Sequence, residues 1–129
     1  MTTLDIVPAV SVNGVEFGVS RAIVEATFGQ PAKNFKKTRW SKGCTADYGD
    51  FHIHYDAIGT FEAIEIFEAE VILPGGHLTV PTSKDAALRA VPSFKADKYG
   101  LTSVEESIGA SVEDEKVSPI LFGKPNYYV

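Results

Sequence analysis

The residues of this chain that could do chemistry are its three histidines, its single cysteine and a run of glutamates. Two of the histidines stand together in FHIHYDAIGTFEAIEIF, residues 51–67. Alternate residues of a strand project from the same face, so His52 and His54 would sit about 7 Å apart. Two imidazoles at that spacing hold a metal ion only when a third ligand comes from elsewhere, and Glu65, Cys44 and His77 are the candidates. The same pair with Glu65 would also suit an acid–base pocket. Glu62, Glu65, Glu68 and Glu70 offer more carboxylates, but their spacing scatters them over both faces of a strand, as in a solvated hairpin. Cys44 would need a paired base to become a nucleophile, and no neighbour in sequence supplies one. Pro74-Gly75-Gly76 makes a turn, because the Gly-Lys-Ser/Thr of a phosphate loop is missing. No catalytic residue, metal-ligand set or cofactor is therefore assigned. His52, His54, Phe61, Glu65 and Phe67 are instead expected to form a binding surface.

That expectation depends on the elements carrying these residues. Asn13-Gly14 signals a hairpin turn, with VEFGV as the strand after it. Ser20 is a helix cap, and Ile23, Val24, Thr27 and Phe28 make an apolar stripe that Gly29 and Pro31 end. The segment AKNFKKTRWSK is basic and reads as a solvated loop entering a strand over 38–48, bulged at Gly43. Residues 51–56 and 61–68 form a hairpin. EVILPGG and HLTV give further strands. TSKDAALRAV is a second helix, capped by Ser83, with Ala86, Ala87, Ala90 and Val91 inward and Pro92 as its stop. SFKADKYGLTSVEE is polar and poorly periodic. SIGASVEDEKVSPILFG alternates as another hairpin, and NYYV is expected to add a last short strand.

The two halves share an order of short strand, Ser-capped helix, irregular stretch and hairpin. Ser20-Arg21 matches Ser83-Lys84. Phe51, Ile53 and Tyr55 match Ile108, Ala110 and Val112, while Ile64 and Ile66 match Ile120 and Phe122. The expected fold is α+β: a two-layer arrangement of one antiparallel sheet with two helices packed on one face. A degenerate duplication of a helix-plus-hairpin unit would run over half-repeats 14–68 and 76–123 of a single domain, 1–129. Positions matching His52 and His54 are Gly109 and Ser111, neither of them a core residue type. The histidines are therefore expected on the open face of the sheet, with Phe61, Ala63, Glu65 and Phe67 beside them.

Composition narrows the partner. The net charge is −5. Residues 51–129 carry twelve Asp/Glu against six Lys/Arg. That balance disfavours a nucleic-acid binder and suits a basic protein partner. No apolar run has the ~18–20 residues of a membrane span, and the N-terminus lacks the pattern of a secretory signal. With one cysteine no internal disulfide forms, which fits a cytoplasmic location.

The segment GVSRAIVEATFGQP, residues 18–31, resembles the helix pattern of the SmpA/OmlA lipoproteins: Gly, a Ser/Thr cap, a Val shortly after, then an apolar residue, Gly, any residue and Pro. A tandem version of a similar α-plus-sheet unit occurs in the β-lactamase inhibitory proteins, which block an enzyme with the open sheet face. Small acidic bacterial immunity proteins, which neutralise a toxin domain, look similar in size, charge and layout. The resemblance implies a binding or inhibitory scaffold. The leading expectation is a small soluble protein that occludes a protein partner, such as a basic toxin domain, through its open sheet face. The alternatives are a small enzyme or ligand-binding protein with a His/Glu pocket, and a homodimeric assembly module.

Overall fold

The computed structural model describes residues 2–36, 43–98 and 100–128. In chain order the elements are β1 (Thr3–Val7), β2 (Ser11–Val12), β3 (Val15–Glu16), α1 (Arg21–Phe28), β4 (Lys33–Phe35), β5 (Cys44–Asp47), β6 (Phe51–Tyr55), β7 (Phe61–Ile66), β8 (Ala69–Leu73), β9 (Gly76–Val80), β10 (Thr82–Ser83), α2 (Lys84–Ala90), β11 (Lys95–Ala96), β12 (Gly100–Ser103), β13 (Ile108–Glu113) and β14 (Lys116–Gly123). The chain is α+β: the described residues form two short helices and strands that pair almost entirely antiparallel.

The strands divide into two sheets, where the sequence suggested one. The smaller has the order β3-β2-β1-β8-β9, and β1 runs parallel to β8. The larger has the order β11-β12-β13-β14-β7-β6-β5-β4, with β10 paired to β14. Each helix is followed in the chain by an antiparallel meander, β4 to β7 after α1 and β11 to β14 after α2. The two meanders meet where β14 pairs with β7, matching Ile120 to Ile66 and Phe122 to Ile64.

One buried cluster joins these parts. Leu4, Ile6, Val71 and Val80 of the smaller sheet, Ile53, Ile64, Ile66, Ile108, Ile120 and Phe122 of the larger, and Val24 and Ala87 of the helices all belong to it. The alternation that buries Ile53, Ile64 and Ile66 turns His52 and Glu65 to the opposite face, which is called the outer face below.

The helices bury less than their sequence stripes. In α1 only Val24 is fully buried, and Ile23, expected inward, is 52% exposed. An eight-residue helix shows the core a narrow stripe, here Val24 with Phe28 one turn later. The segment after Pro92, read as irregular, holds two strands, β11 and β12, and buries Phe94 and Leu101. Of the C-terminal NYYV, residues 126–128 form a turn and not a strand, and Val129 lies outside the described residues. Of the basic segment, Lys37, Arg39, Trp40 and Lys42 lie outside the described residues; of the strand expected over 38–48, residues 38–42 lie outside them and β5 occupies Cys44–Asp47. Among the described residues no helix is long and apolar enough to cross a membrane.

The helix caps differ in a testable way. The Ser83 hydroxyl accepts from the Ala86 amide at 3.1 Å, whereas Ser20 makes no side-chain cap bond. Ser83→Ala is expected to cost about 1 kcal/mol in denaturant melts, and Ser20→Ala only a few tenths, because only the first removes a partner from an orphan amide.

Candidate functional site

The outer face of the larger sheet is set by strand register. Reading across it, Asp47 pairs with His52, His52 with Glu65, Glu65 with Leu121, and Leu121 with Gly109. One step along, Thr45 pairs with His54, His54 with Ala63 and Ala63 with Gly123. The register therefore brings His52, His54 and Glu65 together on one face, as expected.

At the centre of the face is a series of hydrogen bonds. The His54 ring lies 2.8 Å from Thr45 Oγ1 through Nδ1 and 2.9 Å from Glu65 Oε1 through Nε2. An ionised carboxylate only accepts, so Nε2–H donates to Glu65, and in the neutral ring Nδ1 then accepts from the Thr45 hydroxyl. Hydroxyl, imidazole and carboxylate in series is the order of a nucleophile and its general base. Burial weighs against that role, because Thr45 is 3% exposed and His54 6%. The hydroxyl is not presented to a substrate. The series instead locks the His54 ring and holds the Glu65 carboxylate at a fixed place on the face.

His52 sits beside this series in an aromatic row. Its ring lies 5.4 Å from that of Phe35 and 4.8 Å from that of Phe67, both edge-to-face. Its Nε2 is 3.5 Å from Asp47 Oδ1, an ion pair when the ring is protonated. Phe35 is among the exposed large hydrophobics, while Phe67 and His52 are half-buried. Phe35 belongs to this surface although the sequence reading placed it in a solvated loop. Its place on the sheet comes from the pairing of Phe35 with Thr45, which the local sequence does not signal.

Phe61 does not belong to the outer face. It is fully buried, with its ring 4.6 Å from that of Phe17. Tyr55 pairs with Phe61 although His54 pairs with Ala63, so Glu62 is an extra residue that the partner strand does not match. This bulge flips the alternation at one point and turns Phe61 inward.

The remaining metal-ligand candidates are dispersed. Cys44 pairs with Tyr55, on the opposite face from the histidines, and its Sγ accepts from Arg21 at 3.5 Å. His77 lies on β9 in the smaller sheet. Among the described residues no group of three His, Cys, Asp or Glu could hold a metal ion.

The other half of the outer face is covered by the chain's own C-terminus. A Cβ at Gly123 would come within 2.5 Å of the Tyr127 ring, and one at Gly109 would collide with the Tyr128 hydroxyl. These two glycines are seats for the two tyrosines, whose rings lie 5.1 Å apart. Burial, then the neighbouring charges of Tyr127 and Glu65, push the Tyr128 phenol up to about 12. Tyr127 is raised as well, by burial and then by Glu62 and Glu65. An acid whose folded pKa is raised contributes its stability in full below its unfolded pKa and loses it as pH climbs to the folded one. The window here opens at about 10 and closes at about 12 for Tyr128. Stability is expected to fall across that window, and the phenolate absorbance of wild type should rise later than that of Tyr128→Phe.

Comparison with protein-family models, with curated proteins and with solved structures returned no match.

Proposed function

We propose that this chain is a small binding protein that engages a protein partner through the outer face of its larger sheet and acts by occlusion, as an inhibitor or immunity protein does. The carrying observation is the Phe35–His52–Phe67 row, an apolar strip beside a carboxylate locked by His54. Aromatic residues in partly desolvated settings are the usual anchors of protein interfaces. The acidity of residues 51–129 supports a basic partner, such as a toxin domain, met in the cytoplasm.

The mirrored strand order, with two helix-plus-meander units meeting at β14 and β7, supports a duplicated scaffold of half-repeats 14–68 and 76–123. It also supports likeness to tandem inhibitory proteins that present an open sheet face.

The test is co-purification with the product of the adjacent gene. A tight complex that abolishes that product's activity is the expected result. A self-associating chain that ignores the product would instead favour a homodimeric module, and size-exclusion chromatography separates the two.

A further inference from the structure

The smaller sheet ends in an open edge. β9 pairs with β8 on one side, and no described strand pairs with its other side. The register shows which backbone groups that leaves. The Glu70 amide donates to the Thr2 carbonyl at 2.8 Å, and Thr3 lies opposite Glu70, so Glu70 and Ile72 turn their backbone groups toward β1. Val71 and Leu73 then turn theirs toward β9, where Leu78 and Gly76 meet them. His77 and Thr79 are left with N–H and C=O pointing off the edge. Beside that edge runs a groove of about 410 Å³. One wall is the strand from Gly76 to Thr79, and the other is Ala86, Arg89 and Ala90, which share one face of α2. The two alanines keep the helix wall low.

We propose that this groove receives an extended acidic segment of a second partner protein, which adds to β9 as a new strand and sets a carboxylate on Arg89. This goes beyond the outer-face reading and does not rest on it. An unpaired edge is a ready template for another chain, and an added strand binds through main-chain hydrogen bonds while side-chain contacts set the choice. β9 carries none of the usual guards, since no lysine, proline or bulge lies between Gly76 and Val80. Charge selects the occupant. The groove lining holds no carboxylate, and among the described residues the Arg89 side chain makes no ion pair. Asp85, one turn earlier on α2, neither pairs with Arg89 nor lines the groove. In a chain of net charge −5, a guanidinium left without a partner calls for a carboxylate from outside. A second copy of β9 would not supply one, because GHLTV has no acidic residue.

The probe is the peptide acetyl-Val-Glu-Val-Glu-Val-amide, titrated into the full chain and followed by amide shifts and hydrogen exchange. Its controls are the fully N-methylated peptide, which has no backbone donors, and the same peptide with glutamine for glutamate. Saturable shifts over residues 75–79 and along α2 are expected, with slowed exchange of the His77 and Thr79 amides. The N-methylated peptide should not bind. The glutamine peptide should bind about tenfold more weakly or worse, and Arg89→Gln should weaken the glutamate peptide by a similar factor. Arg89 is exposed, so its replacement leaves the core intact. No binding, or binding that survives N-methylation, would overturn strand addition. Equal affinity for the glutamine peptide, or an unaffected Arg89→Gln, would overturn the acidic partner. Protection of the two amides that rises with protein concentration without peptide, alongside a dimer in size-exclusion chromatography, would put a second copy on the edge and overturn the proposal as well.

Discussion

Phe61→Ala is expected to lower the stability of the fold by about 3–5 kcal/mol, the usual cost of truncating a fully buried phenylalanine. The ring has no exposed surface and packs on Phe17. Removing it loses the transfer energy of the ring and leaves a cavity between β7 and the segment after β3. Phe67→Ala, on the half-buried outer row, should cost about 1 kcal/mol. Urea unfolding with unchanged m-values measures both. Similar costs for the two would mean that the Glu62 bulge does not turn Phe61 inward.

The second large effect is expected at Gly100, which opens β12. Its φ is +156, a conformation side chains rarely adopt, and a Cβ there would collide with the Ala110 carbonyl oxygen. The obstacle is backbone of the paired strand, so no flexible side chain can move aside. Gly100→Ala is expected to cost about 2–4 kcal/mol through local strain and loss of the β12–β13 pairing. Hydrogen exchange should show the loss concentrated in those two strands. A variant as stable as wild type would contradict the register of Gly100 opposite Ser111.

Much of this was legible in the sequence. Period-two alternation placed Ile53, Ile64 and Ile66 inward and His52 and Glu65 outward. The match between hairpins expected Ile64 and Ile66 to be buried like Ile120 and Phe122, and all four are, while the pairing of β14 with β7 that brings them together was not anticipated. The Ser83 cap was read correctly to the residue. Phe61 was misplaced because a bulge has no composition signal of its own: one extra residue at Glu62 inverts the alternation only locally. The smaller sheet was missed because the parallel pairing of β1 with β8 joins segments 67 residues apart in sequence, as Thr3 to Glu70, and local patterning carries no information on such a partner. His54 was expected on an open face and is instead buried, because Thr45 and Glu65 close over its two nitrogens. That closure depends on cross-strand register, not on His54's own neighbours. The tyrosines of NYYV were read as strand formers, whereas Gly109 and Gly123 give their rings seats that only the folded sheet creates.

The most direct test of the binding face is the affinity of the complex with the adjacent gene's product for the double variant His52→Ala/Phe67→Ala. The control is Val7→Ala/Ile72→Ala, which removes exposed apolar groups from the smaller sheet. The face variant is expected to bind about 100-fold more weakly or worse, as loss of aromatic anchors does, while the control binds like wild type. Unchanged affinity in the face variant, or a loss confined to the control, would contradict the assignment of the outer face as the working surface.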